Sequence, residues 1–287
     1  MKPAPFVLFA LLACGCPGKG GFTRTGTAPT VQDIVAKLAA KRAALSSFTG
    51  ASVMDYWIGK DRAKGDVFVM GKPGAKVRFA ALSPAGGSTL VEMACNGTTY
   101  AYIDAQNNCQ LTGPCNRMSI AQFLRVELEP QDFVALALGN PPVLEGAAGT
   151  VTWDSTKGHE VVELTSPAGK QTIRIDSRDG HFDLVESRLM GADGKLLWSV
   201  ANTDFAEVKD VKGVTFRVPM KSQLQSPQEK ADLLVEWKER EYNKELPDAK
   251  FDITVPPGLP ECGTKAAPTT GATSAPAGGT TATPATP

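Results

Sequence analysis

Apolar positions recur along this chain with two different periods. From Thr30 onward, Ile34, Val35, Leu38, Leu45 and Phe48 fall at helical spacing with Lys37, Lys41 and Arg42 on the polar side, which predicts an amphipathic helix with a narrow apolar stripe. Thr30 followed by Asp33 marks its start. A second helical stretch is expected from Ser119 through Leu128 and a third from Pro130 to Leu138, where Pro130 suits a first turn and Gly139 a C-terminal cap. Elsewhere the period is two: Val67 and Val69, Val77 and Phe79, Tyr100 and Tyr102, Val162 and Leu164, Ile173 and Ile175, then Leu196, Trp198 and Val200, then Val214, Phe216, Val218 and Met220. Gly-rich or polar turns separate these runs, among them Lys72-Pro73-Gly74, Asn96-Gly97, Arg178-Asp179-Gly180 and Lys212-Gly213. The spacing predicts a mainly β (α+β) fold built on a long antiparallel meander with one apolar and one wet face. A single sheet of this length must curl, and helices must cover its apolar side.

The ends of the chain read differently. Met1 and Lys2 precede an apolar run, Phe6 to Ala13, that ends at Cys14, which is the layout of a secretory signal. The run is far shorter than the roughly 20 apolar residues of a membrane span. Leu11-Leu12-Ala13-Cys14 resembles the bacterial lipobox, in which the cysteine is acylated and the peptide is cut just before it. That resemblance makes residues 1–13 a signal peptide and Cys14 a lipidation site; the alternative is an ordinary signal peptide with Cys14 near the cut. Cys16 is the weaker acceptor, lacking a branched apolar residue before it. Gly15 rather than Asp after the cysteine implies, by the sorting rule of such lipoproteins, lipid anchoring on the periplasmic face of the outer membrane. Residues 14–29 are expected to be a flexible tether, 30–262 the folded domain, and 263–287 a disordered tail of Gly, Pro, Ala, Thr, Ser and one Lys.

Composition narrows the function classes. Lys plus Arg equals Asp plus Glu, so net charge makes no electrostatic case for a nucleic-acid partner or for an anionic membrane surface, and the remaining mixture is that of an ordinary globular domain, read as a monomer. With Cys14 acylated, five of the six cysteines remain in an oxidising compartment. Cys109 and Cys115 flank a turn-rich segment and are spaced for a small disulfide ring; Cys95 with Cys109 is a competing pair, and one cysteine is left over. A zinc site lacks both the Cys-x-x-Cys spacing and a nearby His, so no metal is expected. His159 and His181 lie in turn-like stretches as solvated loop residues, no catalytic signature is present, and Asp176, Asp179 and Asp183 match no calcium loop. Neither a catalytic residue nor a cofactor is expected.

The order of elements resembles the LolA/LolB-like lipoprotein carriers and acceptors. The likeness covers roughly Thr30 to Glu261. It rests on the N-terminal helix, the strands at Lys64–Val69 and Ala75–Phe79, a helical insertion with Glu129-Pro130-Gln131-Asp132-Phe133 and Leu138-Gly139-Asn140-Pro141-Pro142, and the closing Phe251-Asp252-Ile253-Thr254-Val255-Pro256-Pro257-Gly258. The resemblance implies a curved antiparallel half-barrel whose concave face is covered by helices, with acyl chains or lipidated cargo held between them. Candidate ligand-binding residues are Leu38, Val67, Val69, Val77, Phe79, Tyr100, Tyr102, Phe123, Phe133, Trp198, Phe216, Val235 and Trp237. For each, plain core packing is the competing reading. The anchored acceptors carry an exposed apolar residue on the loop after an early strand, and Ser83-Pro84-Ala85-Gly86-Gly87-Ser88 offers none. An interaction or stress-sensing module using the same half-barrel without lipid is the rival function.

Overall fold

The computed structural model describes residues 21–84, 87–119 and 128–263; Cys14, the tail, and most of the stretch expected to be helical between Ser119 and Leu128, Phe123 included, lie outside the described residues. Six strands form a first meander: β1 (Phe48–Ile58), β2 (Asp61–Lys72), β3 (Lys76–Leu82), β4 (Thr89–Asn96), β5 (Thr99–Asp104) and β6 (Cys109–Pro114). Seven form a second: β7 (Ala148–Asp154), β8 (His159–Ser166), β9 (Gly169–Asp176), β10 (Asp183–Gly191), β11 (Leu196–Lys209), β12 (Thr215–Ser226) and β13 (Ala231–Tyr242). Helix α1 (Val31–Ala44) precedes the first meander and α2 (Pro130–Ala137) lies between the two. All thirteen strands belong to one open sheet in the order β6-β5-β4-β3-β2-β1-β13-β12-β11-β10-β9-β8-β7.

The two meanders are joined where β1 pairs antiparallel with β13, from Phe48 opposite Tyr242 to Ile58 opposite Ala231, with a bulge between Ala51 and Ser52. A side chain at Gly50 would start 2.7 Å from Arg240 Cγ and 2.8 Å from the Glu239 carbonyl oxygen, so the bulge requires a residue without Cβ. Strict antiparallel pairing also sorts the turns. Those after β2, β4, β7, β9 and β11 lie at one end of the sheet, which we call the first end; those after β1, β3, β5, β8, β10 and β12 lie at the second.

Alternation sends one set of side chains to a common face. Val67, Val69, Val77, Met93, Trp198, Val200, Leu224, Leu233, Val235 and Trp237 form one buried cluster there, and Val162, Leu164, Ile173, Ile175 and Leu184 a second. Both helices pack on this face. Phe133, Val134 and Leu136 of α2 join the first cluster, with Val134 packed where Gly71 leaves room, and Ile34 and Leu38 of α1 join the second. The α1 start is a full capping box: the Thr30 side chain accepts from the Asp33 amide and the Asp33 carboxylate accepts from the Thr30 amide. The expected stripe through Phe48 overran the helix. It stops at Ala44 because Asn243 Nδ2 donates to the Ala44 carbonyl and Asn243 Oδ1 accepts from the Ser46 amide, turning the chain so that Phe48 opens β1. Helix α2 begins with Pro130 in its first turn and is followed by Gly139 at φ 78°, where a Cβ would meet the Pro219 ring at 2.5 Å.

The chain after β13 crosses the opposite face as a strap. Leu246 and Phe251 pack on Phe68 and Met70, Asp248 bridges Lys72 and Lys76 at 2.5 and 2.7 Å, and Arg78 donates to the Lys250 carbonyl. At its end, Glu261 forms a parallel bridge with Gln110, so the strap covers part of the outer edge of β6. The disulfides correct the expected Cys109–Cys115 ring: the pairs are Cys95–Cys115 and Cys109–Cys262, with Cα separations of 5.7 and 4.9 Å. The segment between Cys109 and Cys115 is the strand β6, which at about 3.3 Å per residue holds their Cα atoms roughly 20 Å apart, beyond any disulfide. The competing Cys95–Cys109 pair is not formed either.

Replacing Gly50 by Val is expected to cost about 1–3 kcal/mol through overpacking at the bulge, read as a lowered urea midpoint with an unchanged slope. The strap responds to acid. Hydrogen bonds from Lys72 and Lys76 pull the Asp248 carboxyl down from 3.8 to about 2. Its contribution is therefore present above the ordinary carboxylate range and lost as pH falls toward 2. Amide exchange in the strap should accelerate between pH 4 and 2, and Asp248→Asn should abolish that pH dependence.

Candidate ligand-binding clefts

The residues expected to line a single hollow are distributed over the apolar face. Val67, Val69, Val77 and Tyr100 are buried in the first cluster, with Phe79, Tyr102 and Phe216 packed against it. Phe133, Val235 and Trp237 border a pocket of only about 40 Å³ between α2 and the sheet, walled also by Met54, Leu136 and Leu233. That space holds a water molecule or two at most. Phe133 and Phe79 fill the neighbouring volume with ring centroids 6.3 Å apart, and Phe48 meets Trp237 edge-on at 5.7 Å.

Larger spaces lie beside α2 rather than beneath it. A cleft of about 790 Å³, in the range of small-molecule sites, is walled by Leu128, Leu189, Leu197 and Trp198. Arg42, Arg117, Glu129, Asp132, Glu145, Gln228 and Glu229 stand around it. Ser226 ends β12 and Gln228 and Glu229 belong to the turn after it, so the cleft reaches the second end of the sheet. A groove of about 330 Å³ runs between α1 and the chain at Pro141–Ala147, over Val31, Val35, Leu38 and Leu164. Trp198 therefore faces the cleft and Leu38 the groove, while the other expected residues among those described sit in packed interior or border the small pocket.

Polar groups fix the walls. Gln171, 1% exposed on β9, donates from Nε2 to the Pro142 carbonyl at 2.7 Å and to Ser187 Oγ at 3.0 Å, and its Oε1 accepts from the Leu144 amide at 2.6 Å. One amide side chain thus ties the loop shared by cleft and groove to the sheet. Arg42 donates to the Pro141 carbonyl at 2.9 Å and faces Asp132 at 3.7 Å. Burial raises the Asp132 carboxyl above its ordinary value, against the opposing pull of Arg42. Arg117 pairs with Glu129 at 3.1 Å on the same rim.

Beneath α2 lies a buried cation. The Arg240 guanidinium stacks on Trp237 at 4.7 Å and Tyr242 at 5.4 Å, and donates to the Ala137 carbonyl at 2.9 Å and to the Pro219 carbonyl. A charge at the carbonyl end of α2 also favours the helix dipole. Burial lowers Arg240 to about 10 and raises the Tyr242 hydroxyl to about 12, so both keep their ordinary charge at neutral pH. Of the residues here, sequence reading found Trp198 and Leu38 but missed Gln171, Arg42, Arg240 and Leu197. The three polar ones, within strands or on a helix flank, resemble ordinary surface residues, Leu197 falls out of phase with Leu196 and Trp198, and only the fold places them. His159, read as a loop residue, opens β8 opposite Asp154 and Asp176; burial lowers its pKa. Among the described residues no group of His, Cys, Asp and Glu is arranged to hold a metal, and no helix is long and apolar enough to cross a membrane.

Two solved structures are similar to this chain. A LolA superfamily protein from Nitrosomonas europaea matches with a TM-score of 0.53 and 13% identity, covering 79% of this chain and 99% of its own. A DUF1329 family protein from Desulfovibrio piger reaches 0.49 at 13% identity, covering 77% and 95% respectively. No protein-family model and no curated protein matches the sequence. The chain has a LolA/LolB-like fold, carried by the first of these likenesses.

Replacing Gln171 by Leu should leave the Leu144 amide and Pro142 carbonyl without their partner and cost about 1–3 kcal/mol. A lowered urea midpoint together with faster exchange of the Leu144 amide checks this.

Proposed function

We propose that this protein is a periplasmic binding protein, anchored to the outer membrane through an acylated Cys14, that takes up acyl-bearing amphiphiles or lipidated cargo. The observation that carries the reading is the cleft of about 790 Å³, with Leu128, Leu189, Leu197 and Trp198 on its wall and paired charges around its rim. An acyl chain leaving water gains about 25 cal/mol per Å² against such a wall without any directional contact. Its polar head remains among groups that already have partners. The LolA/LolB-like fold supports a carrier-type role, with the open sheet acting as a half-barrel whose concave side is the helix-covered face. Longer chains enter by lifting α2, which widens the small pocket over Trp237. No catalytic group is required.

The reading is tested with the full chain and a dansyl-labelled fatty acid. Saturable binding is expected, weakened about tenfold, equivalent to 1.4 kcal/mol, when the half-exposed Leu197 becomes Glu. Absence of binding to the unaltered protein overturns the proposal, and equal binding by Leu197→Glu removes the cleft as the site. Mass spectrometry of the mature N-terminus should show a diacylglyceryl adduct on Cys14, lost in Cys14→Ser.

A further inference from the structure

Among the described residues five large apolar side chains are exposed: Phe22, Met118, Leu197, Val211 and Val214. Leu197 belongs to the cleft. Three of the others lie at the first end of the sheet. Val211 and Val214, 58% and 50% exposed, form the tip of the β11–β12 hairpin. The tip is built to hold them out: the Asp210 carboxylate accepts from the Lys212 amide at 2.8 Å, the Val214 amide at 2.9 Å and Asn243 Nδ2 at 2.9 Å, and the Val211 amide donates to the Tyr242 carbonyl. Lys209 and Lys212 are exposed on the same tip.

The N-terminal segment reaches this same end. The Phe22 amide donates to the Ser155 carbonyl at 2.7 Å, and the Phe22 carbonyl accepts from Trp153 Nε1 at 3.0 Å. Arg24 makes two 2.8 Å hydrogen bonds to the buried Glu160 carboxylate. The Arg178 guanidinium lies 4.9 Å from the Phe22 ring centroid. Phe22 and Arg24, within the stretch expected to be a free tether, are thus docked at and beside the turn after β7. Six residues lie between Cys14 and Gly21, a leash of seven steps and at most about 25 Å. β7, beside Gly21, spans about 23 Å toward the second end and β12, further into the sheet, about 40 Å, so the first end is the one that the leash reaches without being fully extended.

From this we infer that the first end of the sheet rests on the bilayer holding the anchor, with Phe22 and the Val211–Val214 tip seated at the lipid interface and the large cleft opening away from the membrane. The two apolar points stand about 20 Å apart along the sheet, four strand spacings, which fixes orientation where a lone anchor leaves it free. Lys157, Lys209 and Lys212 face anionic head groups; Asp179 is the opposing charge on the neighbouring turn, Asp210 is turned into its own loop, and Arg178 is neutralised by Asp176. The inference rests on acylation at Cys14.

The test uses the acylated full chain in vesicles of phosphatidylethanolamine and phosphatidylglycerol. A nitroxide is placed at Val211→Cys or Gln228→Cys, each in a Cys16→Ser background so that the introduced thiol competes with none outside the two disulfides. On vesicles, the Val211→Cys label should gain oxygen accessibility and lose accessibility to a water-soluble nickel complex, while the Gln228→Cys label should keep its nickel accessibility. A water-exposed label at Val211→Cys, or an immersed one at Gln228→Cys, overturns the orientation. Mass spectrometry of the same samples separates the two failures: an acylated chain with a water-exposed tip refutes the orientation alone, whereas a chain without the adduct refutes the anchor as well. As a second variant, Val211→Asp with Val214→Asp should move the second-end label into contact with lipid or leave it unconstrained while the urea midpoint stays unchanged, because both positions are solvent-exposed.

Discussion

The pairing of β1 with β13 is the contact on which the rest of the structure depends. Each meander is made of neighbouring hairpins that local turns can form, but neither has enough apolar face to cover itself. Joining them along one long register, from Phe48–Tyr242 to Ile58–Ala231, makes a single sheet and brings the first and last strands side by side at its centre. The same join positions the helices. The start of β1 and the end of β13 stop α1 through Asn243, and Arg240 on β13 holds the last turn of α2. A contact between residues nearly two hundred positions apart is slow to find, because loop closure must precede its reward.

Where the sheet places apolar groups and where it leaves space are different matters. Aromatic rings fill the volume directly beneath α2 down to a pocket of about 40 Å³, as close packing demands of a stable interior. Space persists beside the helix, where wall residues are held apart by hydrogen bonds of fixed length. Gln171 is the clearest case, since its three bonds set the distance between the Pro142–Leu144 loop and β9. A polar strut keeps a cleft open in a way that an apolar contact, which gains by closing, does not.

The two faces of the sheet have separate duties. The helix-covered face carries the clefts, while the other is crossed by a strap that ends in the Cys109–Cys262 disulfide and covers part of the outer edge of β6. At the other edge, β7 adjoins the docked N-terminal segment, with Trp153 and Glu160 as its holding points. An open sheet of thirteen strands thus has part of each margin covered by a segment flanking it in sequence, a direct way to blunt edge-to-edge association.

Much of this was legible in the order of residues. Period-two runs marked strands such as β3, β5, β8 and β9, Thr30 and Asp33 marked the start of α1, and Pro130 with Gly139 bracketed α2, because caps, turns and alternation act over a few residues and leave their mark locally. The order of elements was enough to suggest the LolA/LolB-like fold. Strands with small or polar residues on the covered face, such as β1 with Gly50 and Ser52, left no periodic signal, and Val214 continued one where the chain in fact turns. Disulfide partners, the filling of the hollow, the roles of Gln171 and Arg240, and the placement of Phe22 and the β11–β12 tip at the same end were decided only in three dimensions. Each depends on distances between segments far apart in the chain, and a sequence specifies such distances only through the complete packed sheet.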